Sequence, residues 1–147
     1  LYEGGVRVSA FVNWKSVLKP SKFEAPMHAV DWFPTIREIV EPGTADALPS
    51  DGISQWKALR ALEKPNADRT IYIAMRNGSA SLRKGEWKII TRPTKKTECY
   101  RISVDPYEAT DLADQQPEKV KELSTILVEE KSKDNPTLPE DLRGYPD

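Results

Sequence analysis

The sequence predicts an α+β chain: a strand and two helices, then a four-stranded antiparallel sheet packed by a C-terminal helix. Three observations predict it. Residues 70–103 carry short β-branched and aromatic runs separated by the turn pairs Asn77-Gly78 and Lys84-Gly85. Val120, Leu123, Ile126 and Leu127 follow Pro117 at helical spacing, as one apolar face requires. Upstream, Trp32 or Phe33 with Ile36, Ile39 and Val40 form a second helical stripe.

Taken in order, Val6, Val8, Ala10 and Val12 fall on one face at period two, so residues 6–12 read as a strand. Gly4-Gly5 before it permits a tight turn or a close backbone approach. Residues 13–25 form a surface connection. Asp31 reads as the N-cap of a helix over 31–40, with Pro34 in the first turn, where its missing N–H has no intrahelical partner anyway. Pro42-Gly43 ends that helix, and residues 44–52 are a loop. Ser54 caps a short helix through Leu62, with Trp56, Leu59 and Leu62 inward. Strands over 70–76, 79–83, 86–91 and 98–103 make a meander with one face wet and one covered. The cover is the helix that begins at Pro117, with Glu118, Lys119, Lys121 and Glu122 outward. From Asp134 onward, Pro136, Pro139, Gly144 and Pro146 argue against a regular terminal helix.

Composition narrows the function classes. The 147 residues carry 22 Lys+Arg against 23 Asp+Glu. That balance argues against a nucleic-acid binder. The apolar runs, such as residues 71–75, are far shorter than the ~18 residues of a membrane span. One cysteine, Cys99, makes neither an internal disulfide nor a Cys-type zinc site. The chain starts at Leu1 with no basic leader behind it, and reads as a piece of something longer.

Catalytic sets are missing: no HExxH, no P-loop, and no Ser–His or Cys–His pair in a motif context. Asp105 and Asp111 flank Pro106-Tyr107-Glu108, either as a metal site or as an Asp-Pro turn leading to the last helix. His28 is the one general-base candidate by its ordinary pKa; it either lines a pocket or is a partly buried hydrogen-bonder. Cys99 lies in a strand and reads as a small packed residue. Residues 92–96 are a basic solvated loop. Trp14, Trp32, Trp56 and Trp87 are spread over four elements, which fits packing better than a sugar-stacking platform.

Five motifs carry a family likeness. Glu3-Gly4-Gly5-Val6-Arg7-Val8-Ser9-Ala10 resembles the EGG-x-R-V-P-A segment of the sulfatases, in the alkaline-phosphatase-like superfamily. His28-Ala29-Val30-Asp31-Trp32-Phe33-Pro34-Thr35 resembles that family's H-x-x-D-x-x-P-T helix start, and Asp51-Gly52-Ile53 the DG element that follows. Arg83-Lys84-Gly85-Glu86-Trp87-Lys88 resembles its R-x-G-x-WK strand pair. Residues 99–113 resemble a signature that ends in DP-x-E, then Asn or Asp, Leu and Ala. The order is the family's, over residues 2–130. The whole is most similar to the arylsulfatase group that includes N-acetylgalactosamine-4-sulfatase. Ser9 stands where the family has Pro, and Arg101 where an acidic residue or Asn is common.

The resemblance implies an α/β parent fold. This chain supplies the end of the catalytic domain over residues 1–65, a small subdomain over 66–131, and an irregular tail over 132–147. It implies hydrolysis of sulfate esters by a formylglycine, made from Cys or Ser in a C/S-x-P/A-x-R motif, with calcium held by Asp and Asn. No residue here matches the nucleophile motif: Cys99 is followed by Tyr100-Arg101. The chain is thus expected to hold no catalytic or metal-ligating residue and to have no turnover alone. The family's sulfate-binding Lys falls just upstream of Leu1. Glu3, Gly4, Gly5 and Arg7 are therefore expected at the site's edge, as an ion pair, a backbone clamp or a substrate contact, with His28 as a further candidate. The implied partners are a sulfated small molecule or glycan, reached through the parent enzyme, and the N-terminal catalytic region. The implied compartment is secreted, periplasmic or lysosomal. Two other readings stay open: a phosphodiesterase or phosphonate hydrolase of the same superfamily, and a stand-alone binding module.

Overall fold

The computed structural model describes residues 1–43 and 50–134. The expected loop over 44–52 falls mostly outside the described residues, as does most of the expected tail.

The sheet follows the sequence closely. Strands β1 (Thr70–Ala74), β2 (Ala80–Lys84), β3 (Trp87–Arg92) and β4 (Lys95–Arg101) run in sequence order, each antiparallel to the next. The first turn closes with Gly78 N–H donating to the Met75 carbonyl at 3.0 Å. Gly78 takes φ +81°, a conformation that favours glycine, which is why Asn77-Gly78 marks the turn. Pro93-Thr94 joins β3 to β4, so Lys95 and Lys96 open a strand where the sequence suggested a loop. Both still face solvent.

Register sorts the sheet into two faces. Tyr72, Leu82, Ile89 and Cys99 are successive cross-strand partners on one face. The helix α4 (Pro117–Lys131) covers them with Leu123 and Leu127, while Val120 and Ile126 pack at the border. Those are the four positions of the expected stripe. Leu123 is 1% exposed, and burial of such a side chain stabilises by about 1.5–3 kcal/mol.

The other face is not simply wet. Arg83, Lys88 and Tyr100 are partners across it. Ile90, Tyr100 and Ile102 form a second apolar cluster there, with Leu1 packed against it. The chain's first residues, not a later element, close this side.

The first part departs from expectation. The strand over 6–12 is not formed. Glu3–Val6 make a single helical turn, α1, closed by Val6 N–H and Arg7 N–H to the carbonyls of Tyr2 and Glu3. Residues 7–14 then run on without secondary structure, and Phe11 is 95% exposed. A strand needs a ladder partner, and these residues have none among the described residues. Asp31 is not the side-chain cap of α2 (Trp32–Val40). It ends a 3-10 turn over Ala29–Asp31 that is capped by His28. The α2 stripe is split: Trp32 and Ile39 are half-buried, Phe33, Ile36 and Val40 are exposed, and the fully buried residue is Thr35. α3 is shorter than expected, Trp56–Leu59, and Leu62 is exposed. Trp14 stacks on Trp56 at 5.6 Å between ring centres, but it is exposed and lies outside the buried core clusters.

Candidate functional site

All five motifs meet in two buried polar clusters. The first cluster sits under α1. Lys88 points from β3 toward the chain's first turn and is 2% exposed. Its Nζ lies 2.9 Å from Glu3 Oε1 and 2.9 Å from Glu108 Oε1. Arg83 on β2 adds a second cation, Nη1 standing 3.3 Å from Glu3 Oε2. The Glu3 backbone N–H donates to Glu108 Oε2 at 2.5 Å. Two carboxylates thus face two cations, and each buried charge has an opposite neighbour, the condition under which such burial is tolerated. Beside it, the Tyr2 and Tyr100 hydroxyls both donate to Glu98 Oε2, at 2.7 and 3.0 Å. Arg92 pairs with Glu98 Oε1 at 2.5 Å and lies over the Tyr2 ring. Burial first, and the Glu98 carboxylate second, push the Tyr100 phenol well up.

The loop after β4 delivers Glu108. Asp105 closes that loop by accepting from Ala109 N–H at 3.1 Å and Thr110 N–H at 2.9 Å. Those bonds, that of Thr110 first, hold its carboxyl below the usual range. Glu108 takes φ +55°, an unfavourable conformation for a non-glycine residue. Asp111 then accepts from Cys99 N–H at 3.0 Å and Ala113 N–H at 2.9 Å, while Leu112 N–H donates to the Cys99 carbonyl at 2.8 Å. The outer edge of β4 is thereby covered. Both aspartates serve as backbone acceptors, the arrangement that the turn alternative describes. Among the described residues no three His, Cys, Asp or Glu side chains are placed to hold a metal ion.

The second cluster centres on Asp31, which is fully buried. Its Oδ2 accepts from His28 N–H at 2.8 Å and pairs with the buried guanidinium of Arg69. Its Oδ1 accepts from Ile53 N–H at 2.9 Å. Thr35 Oγ1 donates to the Asp31 carbonyl at 2.6 Å and accepts from Gln55 N–H at 2.9 Å. Gly52 passes so close that an added Cβ would lie 2.1 Å from the Val30 carbonyl oxygen. The D-x-x-P-T and DG motifs are therefore two halves of one joint: Asp31 and Thr35 accept the backbone that Gly52 allows to approach.

The expected site residues divide between these clusters. Glu3 is buried in the first. Gly4 and Gly5 lie in the α1 turn, exposed, with ordinary negative φ and nothing within 4 Å of an added Cβ. The tight turn expected of them is formed, Gly5 N–H donating to the Tyr2 carbonyl at 2.9 Å, while no close backbone approach is seen among the described residues. Arg7 is exposed just past α1. His28 belongs to the second cluster. Its Nδ1 accepts from Val30 N–H at 3.3 Å. Burial first, and Arg69 second, lower its pKa. Cys99 is fully buried, and burial first, then Asp111, push its thiol up to about 11, so it is packed rather than reactive.

Sequence reasoning missed Lys88, Glu108, Arg83 and Arg69 as members of these clusters. A signal for Lys88 existed: it interrupts a strand whose positions on both sides are apolar, so its charge had to be met by another segment.

No family model matches the chain. It is 29% identical to N-acetylgalactosamine-6-O-sulfatase of Bacteroides thetaiotaomicron over 143 aligned positions, covering 86% of this chain and 27% of that protein. It is 25% identical to mouse arylsulfatase J, covering 83% of this chain and 29% of that protein. Among solved structures, one from a study of glycosaminoglycan metabolism by B. thetaiotaomicron superposes with a TM-score of 0.68 at 24% identity, over 82% of this chain and 28% of that one. The chain thus spans little more than a quarter of the length of the relatives it matches. Sulfatase homologues cover most of this chain, its fold is shared with their solved neighbours, and its partial span fits their C-terminal portion.

Proposed function

We propose that this chain is the C-terminal part of a sulfuric ester hydrolase of the arylsulfatase type, and that it does not turn over substrate alone. The observation that carries this is the long match to a sulfatase, with the matched motif residues gathered into two buried clusters. Isolated motif matches scattered over a surface would carry less. The family-implied formylglycine and calcium supply the nucleophilic oxygen and the charge stabilisation of that chemistry. The described residues do not fit the metal: Asp105 and Asp111 are taken by backbone amides, and no third ligand stands near.

What this chain's own residues do is hold. Glu3, backed by Lys88 and Arg83, fixes the turn that carries Gly4, Gly5 and Arg7. We place these at the edge of the parent's site as supports or substrate contacts, with His28 as a further candidate that here serves the Asp31 joint. We place the boundary between catalytic end and subdomain near residue 65, crossed by the Glu3–Lys88 and Asp31–Arg69 pairs. The substrate class is a sulfated sugar or small molecule, reached in a secreted, periplasmic or lysosomal compartment. Among the described residues no helix is long and apolar enough to cross a membrane.

The test is the full-length gene product assayed on an aryl sulfate, a 6-sulfated N-acetylgalactosamine and an aryl phosphodiester. Sulfate release that is lost on calcium chelation, and absent from the 147-residue chain, is the expected result. Preferential cleavage of the phosphodiester overturns the reading.

A further inference from the structure

Trp14 is 44% exposed and belongs to neither apolar cluster, yet it is held in place. Its carbonyl accepts from Val17 N–H at 3.1 Å and Leu18 N–H at 3.0 Å, closing a turn in which Ser16 takes φ +70°. Its ring stacks on that of Trp56 with 29° between the planes. The Arg60 guanidinium lies over the Trp56 ring, 5.5 Å from its centre. These three side chains line a groove of about 570 Å³ together with Val17 and with Glu38 and Ile39 of α2. That volume is within the range of small-ligand sites. Ser54 ties the groove together: its hydroxyl donates to Glu38 Oε2 and accepts from Trp56 N–H at 3.2 Å. No residue lining the groove belongs to either buried polar cluster.

The chemistry of the lining defines the ligand. An aromatic face carries negative charge density and attracts the partly positive C–H groups along one side of a pyranose ring. Among the described residues, Glu38 Oε1 has no hydrogen-bond partner and Arg60 has no carboxylate partner. The first can accept hydroxyl protons, and the second can donate to hydroxyl or ring oxygens. Their charges cancel, which suits an uncharged, hydroxyl-rich ring better than a wholly apolar ligand or a nucleotide with its phosphates. The turn and the stack set Trp14 before any ligand arrives, which lowers the ordering cost of binding.

We infer that the groove between α2 and the Trp14–Trp56 stack is a non-catalytic binding site for a pyranose ring of a glycan. Trp14 is its stacking platform, and Glu38 and Arg60 are its polar contacts.

Fluorine NMR tests this, on the 147-residue chain and on the full-length gene product, each carrying fluorotryptophan. The probes are N-acetylgalactosamine, galactose and glucose. With at least one of them, the Trp14 and Trp56 signals are expected to shift and saturate in the millimolar range in both proteins. The Trp87 signal, from β3, is expected to stay fixed and to report that each variant is folded. Trp14→Ala is expected to weaken binding, read at Trp56, by about 10-fold, and Trp14→Phe to restore most of it. No shift with any of the three sugars overturns the inference, as does a shift that survives Trp14→Ala undiminished. So does a shift confined to the 147-residue chain, which shows the groove covered in the full-length product, or tighter binding of adenosine monophosphate, which makes it a base-stacking site. No turnover is read, so failure here leaves the sulfuric ester hydrolase reading standing, and absent sulfate release leaves this site standing.

Discussion

Glu3 and Lys88, far apart in sequence, form a buried ion pair with Oε1 and Nζ 2.9 Å apart. The pair ties the first helical turn to the face of the sheet opposite α4. It does not stand alone, since Glu108 reaches the same ammonium and caps the Glu3 amide. Three segments distant in sequence share one charge, so the net value of the cluster is small but the cost of breaking it is large.

Lys88→Met is therefore expected to destabilise by about 3–5 kcal/mol, because it leaves Glu108 buried without its cation and Glu3 with Arg83 alone. Adding Glu3→Gln and Glu108→Gln to that variant removes the stranded charges and is expected to restore most of the loss. Denaturant midpoints of the three proteins check this. A triple variant no more stable than the single one would show that packing, not charge, is responsible.

In the second cluster the effects are steric and hydrogen-bonding. Thr35→Val removes the acceptor for Gln55 N–H in a buried setting and is expected to cost about 1–3 kcal/mol. Gly52→Ala forces a carbon against the Val30 carbonyl and is expected to cost about 3 kcal/mol. Gly4→Ala, in open space within this chain, is expected to be neutral or slightly stabilising in the 147-residue chain. Thermal melts compare the three, and an equal loss at Gly4 and Gly52 contradicts the close-approach argument.

The sheet and α4 were legible because their signals are local. Asn77-Gly78, the alternation of β3, and Val120, Leu123, Ile126 and Leu127 need no distant partner to be read. Residues 6–12 and the α2 stripe were read by the same rules, and the first is left uncovered and the second partly so. Their periodicity is real, but a strand and an amphipathic helix only form their intended packing when the partner surface is present. The charged cluster was the hardest to foresee. Glu3 was singled out by its motif as part of an ion pair or clamp, yet nothing in its own segment names Lys88 or Glu108. Buried ion pairs are set by tertiary placement, and a lysine in an apolar strand only says that some partner must exist.

His28 makes the second cluster pH-sensitive. Its neutral Nδ1 accepts the Val30 N–H, and burial, then Arg69, lower its pKa below the ordinary 6.5. The unfolded chain then binds more protons than the folded one between the lowered value and 6.5. The stabilisation is complete above that ordinary value and is lost as pH falls through the folded one. His28→Asn keeps a capping oxygen without a titrating ring. The melting-temperature difference between the wild type and this variant is expected to be constant above about pH 7 and to shift against the wild type as pH falls toward roughly 5. A difference independent of pH over that range would contradict a neutral His28 in the cap.

The last prediction concerns how far the sheet and α4 stand alone. Removing residues 1–7 strips the cover from Lys88, Ile90 and Tyr100 and withdraws Tyr2 from Glu98 and Arg92. Lys88 keeps Glu108, so the cluster loses one of two anions and Arg83 loses its carboxylate partner while keeping the Gly85 carbonyl. The face on the α4 side is untouched, because its core of Leu82, Ile89, Cys99, Leu123 and Leu127 uses no residue before 70. The truncated chain is therefore expected to fold cooperatively but with a stability lower by about 2–4 kcal/mol, combining lost apolar cover with a partly unpaired charge cluster. Leu123→Ala, by contrast, strikes the main core and is expected to cost about 2–5 kcal/mol in either background. If the two changes are additive, the faces of the sheet are energetically separate, as their different residue sets require. A truncation that costs nothing would make residues 66–131 a self-sufficient module and would remove the structural reason for the Glu3–Lys88 pair.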